Sequence, residues 1–142
     1  MVTVAGALFT LPSLTINCAT YVPGLSAVKA GFTVVVLLSI AVLPTGTLLA
    51  GHAGGILRSA DAGGSWKPAL TGPGVQWVAL DAQGAAYGYA WGGTVYRSTD
   101  DGATWTPVVR GRPGVYATAF GVTPGGALLI TTTEGMYRAV MR

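Results

Sequence analysis

Five carboxylates and one histidine are spread over 142 residues, and two of the acids recur in a fixed context. Asp61 and Asp100 lie 39 residues apart inside two copies of R-S-x-D-x-G-x-[ST]-W-x-P, which run from Arg58 to Pro68 and from Arg97 to Pro107. In such a turn an aspartate accepts backbone N–H bonds, and Ser59 and Ser98 can add a second side-chain bond. Gly63 and Gly102 permit a positive φ, and Trp66 and Trp105 can lay a large ring between adjacent sheets. That is structural chemistry. Calcium takes about six to eight oxygens, so one carboxylate per turn is too few, and no metal or cofactor is expected.

Hydrolysis by two carboxylates requires a pair about 5 to 9 Å apart. With Asp61 and Asp100 assigned to turns, Asp81, Asp101 and Glu134 remain. Asp81, in Leu80-Asp81-Ala82-Gln83-Gly84, and Asp101, the variable position of the second motif, read as solvated turn acids. Glu134 is a lone acid on the loop between a second and a third strand. No catalytic residues can be assigned from these positions. Arg58, Arg97 and Arg138 recur just before the motif position, where they would cap or brace the turn.

The binding alternative rests on loops. Counting six residues back from each of these arginines gives His52, Trp91 and Thr132. Loops between repeats on the same side add Gln76, Arg110 and Arg112. A shallow face of His52, Trp91, Arg110, Arg112 and Glu134 would suit a polar or anionic peptide or a glycan. The plainer reading, which the sequence favours, makes His52 a satisfied loop histidine, Trp91 packing and the arginines solubilising charges, because exposed aromatics and arginine are enriched at interfaces without being confined to them.

The elements that must position these residues follow from composition and repetition. Hydrophobic residues are 51% of the chain and charged residues 9%, against roughly 25% charged in an ordinary soluble domain, which argues against disorder. Eight Lys and Arg against five acids give +3, but the cations are scattered singly, without the clustered footprint of a nucleic-acid binder. The single cysteine, Cys18, excludes an intrachain disulfide. Gly31 to Leu43 is an apolar run of 13 residues, short of the roughly 20 a membrane-spanning helix needs, and Val34 to Val36 favour a buried strand over a membrane-associated segment. No positive charge occurs in the first 15 residues, so a secretory n-region is not encoded there.

Upstream of each motif lies a strand, a glycine turn and a strand: Leu48 to Leu57 in one copy, Tyr87 to Tyr96 in the next. A third copy starts at Gly114, turns at Pro124-Gly125-Gly126 and runs through Tyr137-Arg138 with three strands and no D-x-G turn. A fainter echo lays Thr15 to Pro23 against Thr99 to Pro107, with Tyr21 for Trp105 and Pro23 for Pro107. A period near 40 with four short strands marks a β-propeller blade. The expectation is therefore an all-β chain, an incomplete β-propeller of about three four-stranded antiparallel blades. Residues 1–30 form a poorly matched segment that can be read as the remnant of a preceding blade; 31–70 and 71–109 form blades with the motif; 110–142 form a partial blade without it. Terminal strands at Val4 to Phe9 and Tyr137 to Met141 would each lack a neighbour, and such open edges invite self-association.

The two motifs resemble Asp-boxes, also called BNR repeats, the S-x-D-x-G-x-x-W turns of sialidase-like propellers. That superfamily includes sialidases, the sortilin propeller, xyloglucan-cleaving glycoside hydrolases and photosystem II assembly factors of the Ycf48 type. The resemblance covers roughly Gly31 to Arg138 and implies boxes lying away from the ligand face, no cofactor, and an extracytoplasmic or secreted setting. It implies no activity. A sialidase-like site would need an arginine triad and a Tyr and Glu pair, and no F-R-I-P-type segment is present. The leading expectation is a non-catalytic repeat module holding a protein or glycan partner, without nucleic acid or a membrane span. The alternative is a fragment of a sialidase-like or other glycoside hydrolase whose catalytic residues lie elsewhere.

Overall fold

The computed structural model describes residues 37–111 and 116–140, and these hold eleven β-strands and no helix. The first sheet is a meander of β1 (Leu37–Val42), β2 (Leu48–His52), β3 (Gly55–Ser59) and β4 (Lys67–Thr71). The second repeats it with β5 (Val75–Leu80), β6 (Ala86–Ala90), β7 (Val95–Ser98) and β8 (Thr106–Val109). The third has three strands, β9 (Ala117–Val122), β10 (Ala127–Thr132) and β11 (Gly135–Val140). All neighbouring strands pair antiparallel.

Residues 37–42 of the long apolar run form β1, paired with β2 from Leu37↔His52 to Val42↔Leu48, and residues 31–36 lie outside the described segment. Burial alternates along the strand, with Ser39 and Ala41 buried and Leu37 and Val42 exposed, and among the described residues β1 stands at one edge of its sheet. Among the described residues no helix is long and apolar enough to cross a membrane. Of the expected edge strands, Val4 to Phe9 lies outside the described residues, and Tyr137 to Val140 falls on β11, the outer edge of the third sheet.

The sheets stack face to face through two cores. Between the first and second lie Ala41, Leu43, Leu49 and Ile56 against Val75, Val78, Ala86 and Ala90, flanked by Leu70, Leu80, Tyr96 and Trp105. Between the second and third lie Ala85, Tyr87, Tyr89 and Val95 against Leu128, with Trp77, Phe120, Val122 and Ile130 beside them. The middle sheet is covered on both faces, so β6 is buried at every position. Leu49 and Ile56 are fully buried, each side chain contributing about 1.5–3 kcal/mol of apolar transfer.

The two motif turns have the same internal wiring. Ser59 Oγ donates to Asp61 Oδ1 at 2.7 Å, and the N–H groups of Gly63 and Ser65 donate to Ser59 Oγ and Asp61 Oδ1 at 2.8 Å each. In the second copy Ser98 Oγ donates to Asp100 Oδ1 at 2.7 Å, while Gly102 N and Thr104 N donate to Ser98 Oγ and Asp100 Oδ1 at 3.0 and 2.9 Å. Gly63 and Gly102 have φ of 93° and 79°, and the residue before each, Ala62 or Asp101, is left-handed too, at 55° and 60°. Two successive left-handed residues reverse the chain tightly, which is the role of the D-x-G tripeptide. Bonds from the Ser65 side chain and backbone, then Ser59, hold Asp61 down at about 2; Thr104 and Ser98 do the same for Asp100.

Two acids expected to be plain solvated turn residues are otherwise engaged. The Asp101 carboxylate receives Thr45 Oγ1, Thr47 Oγ1 and Arg58 Nη2 from the first sheet, and its carbonyl receives Arg58 Nε at 2.8 Å. Arg58 thus braces the turn of the next repeat rather than its own. Asp81 closes the β5–β6 turn by accepting the N–H groups of Gln83 and Ala85, and it also accepts the hydroxyl of Tyr87 at 3.1 Å. Arg97 donates to that same hydroxyl at 3.1 Å and lies over the Tyr87 ring. Trp105 packs against the core of the first two sheets and donates its indole N–H to Gly102 O at 3.1 Å. Trp66 is half-buried beside Gly63, on the face of the first sheet that no described sheet covers.

Candidate functional site

The motif turns and the first turn of each sheet (43–47, 81–85 and 123–126) lie at one end of the strands. The turns β2–β3, β6–β7 and β10–β11, with the links between sheets, lie at the other, as antiparallel meanders require. This second end carries the candidate rim residues.

His52 ends β2 and is half-buried, its Nδ1 accepting Gly54 N–H at 3.0 Å. Burial lowers its pKa below the ordinary histidine value, so the ring is neutral at pH 7 and is occupied with its own turn. Trp91 is 54% exposed, yet its ring lies against Gly74, where an added Cβ would meet Trp91 Cε3 at 2.6 Å. The pairing registers separate Trp91 from His52 and Thr132. His52 pairs with Gly55 and Thr132 with Gly135, while Ala90 N bonds Thr94 O, which makes the β6–β7 turn longer and places Trp91 inside it. Counting back from the arginines misses that insertion. Gln76 is not a loop residue: it lies in β5 at the irregularity between Val75 and Trp77. Glu134 is exposed at the β10–β11 turn, where its N–H donates to Thr132 Oγ1. Arg110 is exposed, and Arg112 lies outside the described residues.

A groove of about 260 Å³ opens at this end between the second and third sheets. Tyr89, Arg110, Ile130 and Tyr137 are among the residues that line it, and Arg110 is in no ion pair among the described residues; Arg138 lines it as well, but it pairs with Leu129 on the face of the third sheet opposite Ile130 and Tyr137. One position of the repeat differs beside it. Gly51, fourth in β2, faces β5 so closely that a Cβ there would meet Val75 O at 2.8 Å. The fourth residue of β6 is Tyr89, whose ring sits 5.4 Å from Trp77 and 5.6 Å from Phe120. The second sheet thus carries a large ring where the first has none. The sequence between β8 and β9, residues 110–116, is longer than that between β4 and β5, residues 72–74. Burial raises the Tyr89 pKa above the ordinary tyrosine value. A more polar hollow of about 320 Å³ lies at the first motif turn, beside Arg58, Asp61 and Lys67, where Ser59 and Ser65 already engage the carboxylate.

The groove was not foreseen. Its signal was present as Gly51 against Tyr89, but only the registers show that the two are equivalent. Among the described residues no three His, Cys, Asp or Glu side chains come together as a metal site.

No family model and no curated protein matches the chain. Solved structures of similar fold exist. One is YCF48 from Cyanidioschyzon merolae, with a TM-score of 0.60 and 19% identity over 74% of this chain and 34% of that one. The fold is a partial β-propeller. A second propeller, YCF48 bound to D1 peptide, gives a TM-score of 0.50 and 18% identity over 71% and 35% of the two chains. The chain spans about a third of the length of these propellers. At such identities the likeness concerns fold, and function has to be argued from the site.

Proposed function

We propose that this partial propeller is a non-catalytic module that binds a protein partner as an extended, acidic and partly apolar segment, and that its two motif turns are Asp-boxes serving only to brace the blades. The observation that carries the reading is the groove between the second and third sheets, lined by aromatic and aliphatic residues with the exposed Arg110 among them. Apolar side chains would fill the floor, and a carboxylate would meet Arg110 in a bidentate pair. A polypeptide is favoured over a glycan because Val109, Ile130 and Ala139 line the groove as aliphatic surface. The similar propeller solved with a D1 peptide supports a peptide as ligand class. Trp91 and His52, at the neighbouring turns, would extend the contact. Glu134 is a single rim acid, which lends the glycosidase alternative no support.

The test is a titration with a synthetic peptide of alternating leucine and aspartate, and with its lysine counterpart. The acidic peptide should bind in a salt-sensitive manner. Arg110→Ala should weaken it about tenfold, or about 1.4 kcal/mol, with the thermal transition unchanged. Equal binding of the two peptides, or wild-type affinity in the Arg110→Ala variant, would refute the reading.

A further inference from the structure

Aspartate followed by glycine is the dipeptide most given to rearrangement, because glycine has no side chain to keep the aspartyl carboxyl away from its nitrogen. The sequence has it once, at Asp101-Gly102; Asp61 and Asp81 precede alanine, and Asp100 precedes Asp101. The chemistry consumes and returns one water. The Gly102 nitrogen attacks Cγ of Asp101, a C–N bond forms, and the carboxyl hydroxyl leaves as water with the amide proton, giving a five-membered succinimide. Water then opens the ring. Attack at the side-chain carbonyl restores aspartate, whereas attack at the backbone carbonyl leaves isoaspartate, whose main chain runs through Cβ and Cγ and whose free carboxylate sits on Cα.

In the folded chain both reacting groups are engaged. The Gly102 N–H donates to Ser98 Oγ at 3.0 Å, and Ser98 is 3% exposed. The Asp101 carboxyl must be protonated to lose its hydroxyl, yet its carboxylate accepts Arg58 Nη2 at 2.8 Å and the hydroxyls of Thr45 and Thr47. Gly102 itself is buried against Leu49. The serine bond is internal to the turn. Arg58, Thr45, Thr47 and Leu49 all belong to the first sheet and its β1–β2 turn, so these restraints cross the seam and vanish together when it opens. Asp61 and Asp100 differ, because their carboxylates are held by serine and threonine groups of their own turns.

We propose that Asp101 is a self-modification site gated by the seam between the first two sheets: it is inert while the seam is closed and converts to isoaspartate when the seam opens. Opening and closing are fast against so slow a covalent step, so the rate follows the open population. The conversion acts one way on the fold. Isoaspartate adds a carbon to the main chain at a residue held at φ of 60° and moves the carboxylate from Cβ to Cα, away from Arg58, Thr45 and Thr47. A seam that has once reacted closes without its brace.

The test incubates the full chain in heavy-oxygen water at mildly acidic pH, digests it in ordinary water and reads the peptides by mass spectrometry, since each passage through the ring leaves one heavy oxygen at the residue. In urea the label should enter Asp101 ahead of Asp61, Asp81 and Asp100. Without urea the Asp101 rate should fall about a hundredfold or more. Arg58→Ala should raise that folded rate about tenfold and Thr45→Val about threefold, with the rates in urea unchanged. Ile130→Val loosens the core between the second and third sheets, so it should lower the melting temperature and leave the Asp101 rate as it is. If Arg58→Ala fails to fold, the exposed Thr45 decides through Thr45→Val. Equal rates with and without urea, no acceleration in the brace variants, or equal acceleration by Ile130→Val would each overturn the proposal.

Discussion

Arg58 and Asp101 meet at 2.8 Å across the seam between the first and second sheets, although 43 residues separate them in the chain. Each side chain is 28% exposed, so the pair is neither a screened surface contact nor a buried charge. Thr45 and Thr47 complete the acceptor shell of the carboxylate. Asp101→Ala should therefore cost about 1–2 kcal/mol, more than an exposed pair. A double-mutant cycle with Arg58→Ala, read by urea denaturation, should give a coupling near 1 kcal/mol, and additive effects would show that the contact is idle.

The same carboxylates set an acid limit. Burial raises the Asp101 pKa, but the bonds from Thr45, Thr47 and Arg58 outweigh it and leave it below the ordinary value, while Asp61 and Asp100 stand at about 2. A depressed folded-state pKa contributes stability that is complete above the unfolded value near 3.9 and is lost as pH falls through the folded one. Stability should be nearly level from neutral pH down to about 5 and decline steeply toward about 2. Thermal melts in Asp101→Asn should show a shallower decline.

Ala62 holds φ at 55° without the hydrogen-bonding side chain that Asp101 has at the equivalent place. A left-handed alanine costs about 1 kcal/mol, so Ala62→Gly should stabilise the chain by about 0.5–1 kcal/mol, seen as a higher melting temperature.

Gly63 and Gly102 occupy equivalent turn positions, yet alanine should not be equally tolerated. At Gly102 a Cβ would clash with Leu49 Cδ2 in the core, whereas at Gly63 the nearest atom is Leu48 Cδ1 at 3.6 Å. Both variants pay for the positive φ, about 1 kcal/mol, and Gly102→Ala should lose about 1–3 kcal/mol more through overpacking. Equal losses in chemical denaturation would contradict the docking of the second turn on the first sheet.

Tyr87 is 1% exposed and its hydroxyl links Asp81 to Arg97. Tyr87→Phe keeps the ring and removes the link, leaving Asp81 Oδ2 and Arg97 Nε without that partner, at a cost of about 1–2 kcal/mol in the unfolding free energy.

Much of this architecture was legible in the sequence because it is local and repeated. The Ser59–Asp61–Gly63 and Ser98–Asp100–Gly102 turns close within seven residues, so spacing and residue type alone determine their bonds, and their recurrence after 39 residues determines that sheets stand in series. Which residues meet across a seam is another matter. Asp101 became an inter-sheet brace, and Tyr89 came to stand where the first sheet has Gly51, through registers that single positions do not encode. Trp91 was set beside His52 by counting, and one extra turn residue removed the equivalence. Hydrogen bonds within a turn depend on a few consecutive dihedral angles, which residue type controls. Contacts between sheets depend on how whole faces fit, and only the packed tertiary structure determines that fit.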